Sequence, residues 1–269
     1  MMVLRLSFVL CVVSLFIAGF VYYPKWKQSG TEATLSWDAS GYYMYLPAIF
    51  IYKDLKQCRF KDDILKRYGP TPDFQQAYLH PSGNYVMKYS IGQAIQFLPA
   101  FLISHTYASL SENYPDDGFS RPYQLGISIH SFLIAVLGIF VLMKVLRRYF
   151  SPRGVGLTLV CIVLGSNYLD YAGINGAMSH NGLFTIYALL LLVTDNYYRS
   201  PSLQKALAIG ALIGMAALTR PTEIIAAVIP ILWGVNVLSS KSIKERFSFF
   251  IKYRNHLVLA ISLIGLIGF

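Results

Sequence analysis

Residues 89–111, YSIGQAIQFLPAFLISHTYASLS, carry no charge and are long enough to cross a bilayer, so whether they do so decides how the whole chain is threaded. They hold Gln93, Gln96, Pro99, Ser104 and His105 and open with Ser90-Ile91-Gly92, a polar content that suits an interfacial or re-entrant helix better than hydrocarbon. Charge gives the same answer. If 89–111 crosses and the N-terminus is inside, the cluster Lys144, Arg147, Arg148 and Arg153 falls outside and the acidic stretch 112–117 falls inside, against the basic character of cytoplasmic loops. Without that crossing the remaining apolar stretches alternate consistently. The predicted spans are then about 4–23, 122–143, 154–170, 179–195, 203–219, 223–239 and 256–269, with a long extracytoplasmic loop over 24–121 and basic inner loops at 144–153, 196–202 and 240–255.

Composition supports a lipid-embedded fold. Of 269 residues 55% are hydrophobic and 13% charged, against about 25% charged in an ordinary soluble domain, and the mean hydropathy is +0.49. The expected fold class is all-α: a polytopic transmembrane helical bundle forming a single domain over 1–269, with juxtamembrane helices in its long first loop. The N-terminal apolar run ends in Tyr22-Tyr23 with no small-residue cleavage pattern, so it reads as a retained span. At the other end, 256–269 reaches the last residue without a polar flank, the pattern expected of a C-terminally truncated chain.

A net charge of +10 suggests nucleic acid until it is sorted by side. The outer segments hold eleven cations and eleven carboxylates, whereas the inner ones hold twelve cations against Asp195 and Glu245. The excess is therefore cytoplasmic anchoring, and no nucleic-acid partner is implied. Cys11, Cys58 and Cys161 have neither metal-ligand spacing nor the look of a disulfide framework. Cys58, in the first loop, is the thiol expected to meet an impermeant reagent from outside.

Ionisable groups at the outer lip are the candidates for chemistry, because charge near a membrane is costly to keep. Asp38 precedes an aromatic, amphipathic stretch Tyr42–Asp54 that reads as one helix. Lys88 precedes the interfacial helix, His180 opens the 179–195 span, and Arg220 sits in the hairpin before Pro221. Asp116 and Asp117 read first as a turn with Gly118, Arg121 as an interfacial anchor, and Trp37, Tyr42, Tyr43 and Tyr45 as an aromatic belt with sugar stacking as a second role. A carboxylate can take a proton from an attacking hydroxyl while cations neutralise a leaving phosphate, a combination suited to glycosyl transfer. A transporter or lipid-carrier flippase also gathers ionisable residues, but near the midplane and on symmetry-related broken helices.

The order of Trp37-Asp38-Ala39-Ser40-Gly41-Tyr42-Tyr43-Met44-Tyr45-Leu46-Pro47, Lys88-Tyr89-Ser90-Ile91-Gly92-Gln93, Asp116-Asp117-Gly118-Phe119-Ser120-Arg121-Pro122-Tyr123, Ser179-His180 and Arg220-Pro221-Thr222 resembles the GT-C glycosyltransferases, nearest in character to bacterial aminoarabinose and mannosyltransferases. The resemblance implies an inverting membrane enzyme of the bacterial inner membrane. Such an enzyme moves a hexosyl or pentosyl unit from a polyprenyl-phosphate donor to a periplasmic glycan, lipid or protein acceptor. It implies Asp38 as catalytic base, with Lys88 and Arg220 at places where basic groups face the donor phosphate; His180, Arg121, Tyr42 and Tyr43 complete the candidate substrate-binding set from the residue reading. Many relatives carry two adjacent acidic residues where this chain has Asp38-Ala39, which leaves Asp116 or Asp117 as a second carboxylate and a divalent cation as the open cofactor.

Overall fold

In the computed structural model, which describes residues 2–235, 237 and 239–268, the chain folds as two compact units, Met1–Thr185 and Ile186–Phe269. Phe269 of the expected last span, and Asn236 and Leu238 of the expected 223–239 span, lie outside the described residues. The fold is helical, as its composition requires, with one short hairpin in the first loop.

Three helices organise the membrane part of the first unit. Helix α1 (Met2–Phe16) continues through a π-helical turn, Ile17–Tyr22, so that Met2–Lys27 forms an apolar run of 26 residues long enough to cross a bilayer. The other helix of that length and character here is Arg121–Leu146, which becomes α6 below. A shorter helix, Pro152–Leu164, starts where the Ser151 hydroxyl accepts the Gly154 N–H and Pro152 presets the first turn. It stops six residues before the predicted limit at 170, and a π-helical turn follows at Asp170–Ile174. Leu4, Cys11 and Leu15 interlock with Ala135, Ile139, Val155 and Leu159, all buried.

The loop between the first two long helices is ordered throughout. Helix α2 (Trp37–Tyr43) and helix α3 (Tyr45–Phe50) replace the single helix expected over Tyr42–Asp54. Pro47 has no N–H to give the Tyr43 carbonyl, and the helix breaks at Met44 just before it. Helix α4 (Lys61–Tyr68) ends on a left-handed Gly69. Strands β1 (Ala77–Leu79) and β2 (Tyr85–Met87) then pair antiparallel, Tyr78 opposite Val86. Helix α5 (Gly92–Ser109), the segment that decides the threading, packs on α6 (Arg121–Leu146) through Phe97, Phe101 and Tyr123, with His105 Nδ1 2.7 Å from the Tyr123 hydroxyl. It is not among the helices apolar enough to cross. Gln124 of α6 fastens the loop by accepting the Leu35 N–H at 2.8 Å and donating to the Phe119 carbonyl at 3.0 Å. Pro152–Leu164 is α7.

Helix α8 (Ser179–Arg199) begins in the first unit and continues in the second. There α9 (Leu203–Thr219) is followed by a 3-10 stretch, Pro221–Ala227, a five-residue α10 (Val228–Leu232), α11 (Ser240–Lys252) and α12 (Arg254–Gly268). The stretch 223–239 is thus not one continuous helix: the α-helical part ends at Leu232, before Trp233 and the positive-φ Gly234. Gly210 and Gly214 lie one turn apart on the face of α9 that meets α12. A Cβ on Gly210 would stand 2.6 Å from the Ala260 carbonyl oxygen, so only glycine lets the two backbones approach this closely.

Candidate active site

Asp38 occupies the first turn of α2, immediately after Trp37, whose φ of +48° is a left-handed conformation that a bulky residue holds only under constraint. The constraint is visible. Trp37 donates its N–H to the Pro70 carbonyl at 3.0 Å, and the Ser40 hydroxyl donates back to the Trp37 carbonyl at 2.6 Å. This fixed corner turns the Asp38 carboxylate outward, where its side chain is 45% exposed.

Lys88 reaches the same place from the other side of the loop. It follows β2, and its N–H donates to the Gln76 carbonyl at 2.9 Å in an extension of the hairpin ladder. Its ammonium lies 3.9 Å from Asp38 Oδ1, is 51% exposed and sits over the Tyr89 ring at 5.0 Å. Gln76 serves both halves of the pair. Its buried side-chain amide donates to Ser40 Oγ at 2.7 Å and Thr71 Oγ1 at 3.0 Å, while its carbonyl holds Lys88.

An aromatic wall extends from the pair. The Tyr89 ring lies 4.3 Å from that of Tyr42, over Gly41, where a Cβ would stand 2.6 Å from Tyr89 carbon atoms. Tyr45 donates to the Tyr89 carbonyl at 2.6 Å, and Ser179, at the start of α8, donates to the Tyr42 hydroxyl at 3.2 Å. The neighbouring His180 is half-buried and stacked on Tyr171, centroids 4.3 Å apart. Asp38, Lys88 and Tyr89 are therefore gathered on one surface, while Tyr42, expected at the substrate site, is buried behind Tyr89 and leads inward through Ser179 to His180.

Trp37 also borders a cavity of about 60 Å³, together with Lys25, Ser36, Asn175 and Met178. Lys25 donates to Asn175 Oδ1 at 3.0 Å, and Asn175 in turn donates to both oxygens of Asp170 at 3.0 and 3.1 Å. Sequence reasoning passed over these three residues and Gln76. A signal existed for Asp170, the lone carboxylate dividing the uncharged stretches 154–169 and 171–194. Gln76 had none.

The other predicted residues of the first unit are placed elsewhere. Tyr43 is fully buried on the far side of α2, donating to the Gly118 carbonyl at 2.6 Å and packing edge-on against Phe119. Asp117 is committed to the loop: its carboxylate accepts from Arg67 Nη1 at 3.1 Å, the Tyr68 hydroxyl at 2.6 Å and the N–H groups of Phe119 and Ser120. Burial, reinforced by the Asp117 charge, pushes the Tyr52 hydroxyl beside it up to about 12. Asp116 is exposed, and Arg121 lies over the Trp26 ring at 5.3 Å. In the second unit, Arg220 is half-buried at the corner between α9 and the 3-10 stretch, where its carbonyl accepts the Glu223 N–H; Glu223 receives the Tyr187 hydroxyl at 2.5 Å.

Among the described residues no three His, Cys, Asp or Glu side chains come together as metal ligands. The charged neighbour of Asp38 is an ammonium, and one carboxylate beside a cation is a poor donor set for a divalent ion. What the arrangement offers is a fixed, water-accessible carboxylate, a cation within reach of it and an aromatic face beside both.

A family model described as dolichyl-phosphate-mannose-protein mannosyltransferase matches residues 120–267, more than half of the chain. No curated protein and no solved structure matches. The matched region opens at Ser120, the residue before α6, and takes in His180 and Arg220, while Asp38 and Lys88 lie in the loop ahead of it. This match over more than half of the chain, on apolar helices long enough to cross a bilayer, leads to one conclusion: the chain belongs to the dolichyl-phosphate-mannose-protein mannosyltransferase family and is an integral-membrane glycosyltransferase of the GT-C superfamily.

Proposed function

We propose that this protein transfers a mannose-type sugar from a polyprenyl-phosphate donor to an acceptor in the cell envelope, on the periplasmic face of a bacterial inner membrane, with Asp38 as the catalytic base. The observation that carries the reading is the half-exposed Asp38–Lys88 pair, 3.9 Å apart, on a loop held rigid around it.

The chemistry is a single displacement. The acceptor hydroxyl oxygen attacks the anomeric carbon and forms the new glycosidic bond, the bond from that carbon to the phosphate oxygen breaks, and the electron pair leaves on polyprenyl phosphate. The hydroxyl proton passes to the Asp38 carboxylate. Lys88 neutralises the departing phosphate, an electrostatic role that strengthens as the site excludes water. At 3.9 Å the pair is looser than a hydrogen-bonded ion pair, so the long lysine side chain turns to the phosphate without breaking a tight contact. Tyr89, backed by the buried Tyr42, presents the ring face on which a sugar packs.

The test is a purified-protein assay with a radiolabelled polyprenyl-phosphate sugar and a crude envelope acceptor fraction in proteoliposomes. Labelled acceptor together with released polyprenyl phosphate supports the reading. Movement of intact donor across the bilayer without cleavage would instead show a carrier flippase.

A further inference from the structure

Helices α11 and α12 meet at Tyr253 with a bend of 84°. After Arg254, α12 carries no charged side chain and runs apolar to Gly268, packed on α9. A helix nearly perpendicular to such a membrane-directed segment lies along the bilayer surface. α11 is also unfit for the hydrocarbon, since Lys241, Lys244, Glu245, Arg246 and Lys252 fall within its thirteen residues.

Its three faces differ. One is fixed to the protein: Phe249 packs against Tyr198 at 4.9 Å and Tyr253 at 4.8 Å, and the Arg246 guanidinium lies over the Tyr198 ring at 4.4 Å and donates to the Trp233 carbonyl. A second face presents Ile243, Phe247 and Ile251, spaced one turn apart and 59%, 65% and 57% exposed. The third holds Lys241, Lys244, Ser248 and Lys252, again at helical spacing. Among the described residues Lys241 and Lys244 form no ion pair, and the segment Lys241–Arg254 has five cations against the single carboxylate Glu245.

We propose that α11 is an in-plane amphipathic helix that binds anionic lipid, with Ile243, Phe247 and Ile251 in the acyl boundary and Lys241, Lys244 and Lys252 on the headgroups. The bend sets its tilt, the exposed apolar stripe supplies its depth, and the unmatched lysines supply the preference for negative charge. The proposal does not depend on the sugar-transfer reading.

The experiment uses the full chain with Cys161→Ser, single cysteines placed at 243, 244, 247, 248, 251 and 252, and nitroxide labels. Each protein is reconstituted into nanodiscs of phosphatidylcholine alone or mixed with phosphatidylglycerol. Collision with oxygen, which concentrates in lipid, and with a water-soluble nickel chelate is read by electron paramagnetic resonance. Labels at 243, 247 and 251 should be oxygen-rich and nickel-poor, those at 244 and 248 the reverse. Nickel collision at 247 should fall on the order of threefold when anionic lipid is added, a change lost in the Lys241→Gln, Lys244→Gln, Lys252→Gln variant. Nickel access at 243, 247 and 251 in both lipids would overturn the proposal. So would exclusion of both reagents, which marks a protein-covered face, or the same reading with and without phosphatidylglycerol.

Discussion

The ammonium of Lys88 stands 3.9 Å from Oδ1 of Asp38, although fifty residues and two secondary-structure types separate them. Neither helix propensity nor span counting brings them together. The α2 corner at Trp37 aims the carboxylate, the β1–β2 hairpin delivers the lysine, and one buried glutamine bonds to both supports.

Gln76 is therefore the residue whose loss loosens the pair without touching substrate. Replacing it with Ala leaves Ser40 and Thr71 short of a partner in a buried setting, at a cost of about 1–3 kcal/mol. We expect a lower melting temperature and a fall in kcat larger than the change in donor KM, measured on the same preparation. A kcat unchanged at full occupancy would mean that the geometry of the pair does not matter.

Lys88→Gln should behave differently. Both partners are half-exposed, so the pair contributes no more than about 1 kcal/mol to folding and the variant should melt within a few degrees of the parent. Transfer should nonetheless drop by about tenfold to a hundredfold as the leaving phosphate loses its cation, with partial recovery in Lys88→Arg. Steady-state kinetics against donor concentration separates this from a lipid-contact role, which would leave kcat alone.

Gly210→Val tests the second unit. A branched side chain at a backbone approach of this kind forces α9 and α12 apart, and a loss of about 2 kcal/mol or more is expected in detergent unfolding. A substitution at Gly265, which has open space around it, should cost far less and controls for helix propensity.

Cys58 was the thiol expected to report the outer face, but it is fully buried in the core of the first loop with Phe60 and Ile64. Burial, with a smaller push from Asp54, raises its thiol to about 11, which disfavours the reactive thiolate at neutral pH. An impermeant maleimide should leave it unlabelled at pH 7 until the loop unfolds. Ser82→Cys, at the exposed hairpin tip, is the better reporter, with Cys161→Ser removing the exposed native thiol. Labelling of Ser82→Cys in intact cells places the loop outside; labelling only after permeabilisation reverses the threading.

The helical class was legible because it rests on apolar runs, and lipid tolerates few alternatives. Tertiary supports were not. Pro47 splits a helix that the aromatic pattern alone reads as continuous, and Gln76 and Asn175 look like any polar loop residue until the chain is folded around them. Asp38 and Lys88 were identified singly from their charge at the membrane lip, whereas Tyr43 and Asp117, equally plausible by type, turn inward to Gly118, Tyr68 and Arg67. Side-chain direction separates these two groups, and a sequence read without its fold does not contain it.

The central claim is that Asp38 takes the acceptor's proton, and Asp38→Asn measures it most directly because the amide keeps the shape of the side chain but accepts no proton. In proteoliposomes with a radiolabelled polyprenyl-phosphate sugar, transfer should fall by at least about a hundredfold, with the melting temperature and donor binding nearly unchanged. Transfer at the parent rate by a folded Asp38→Asn protein would contradict the account.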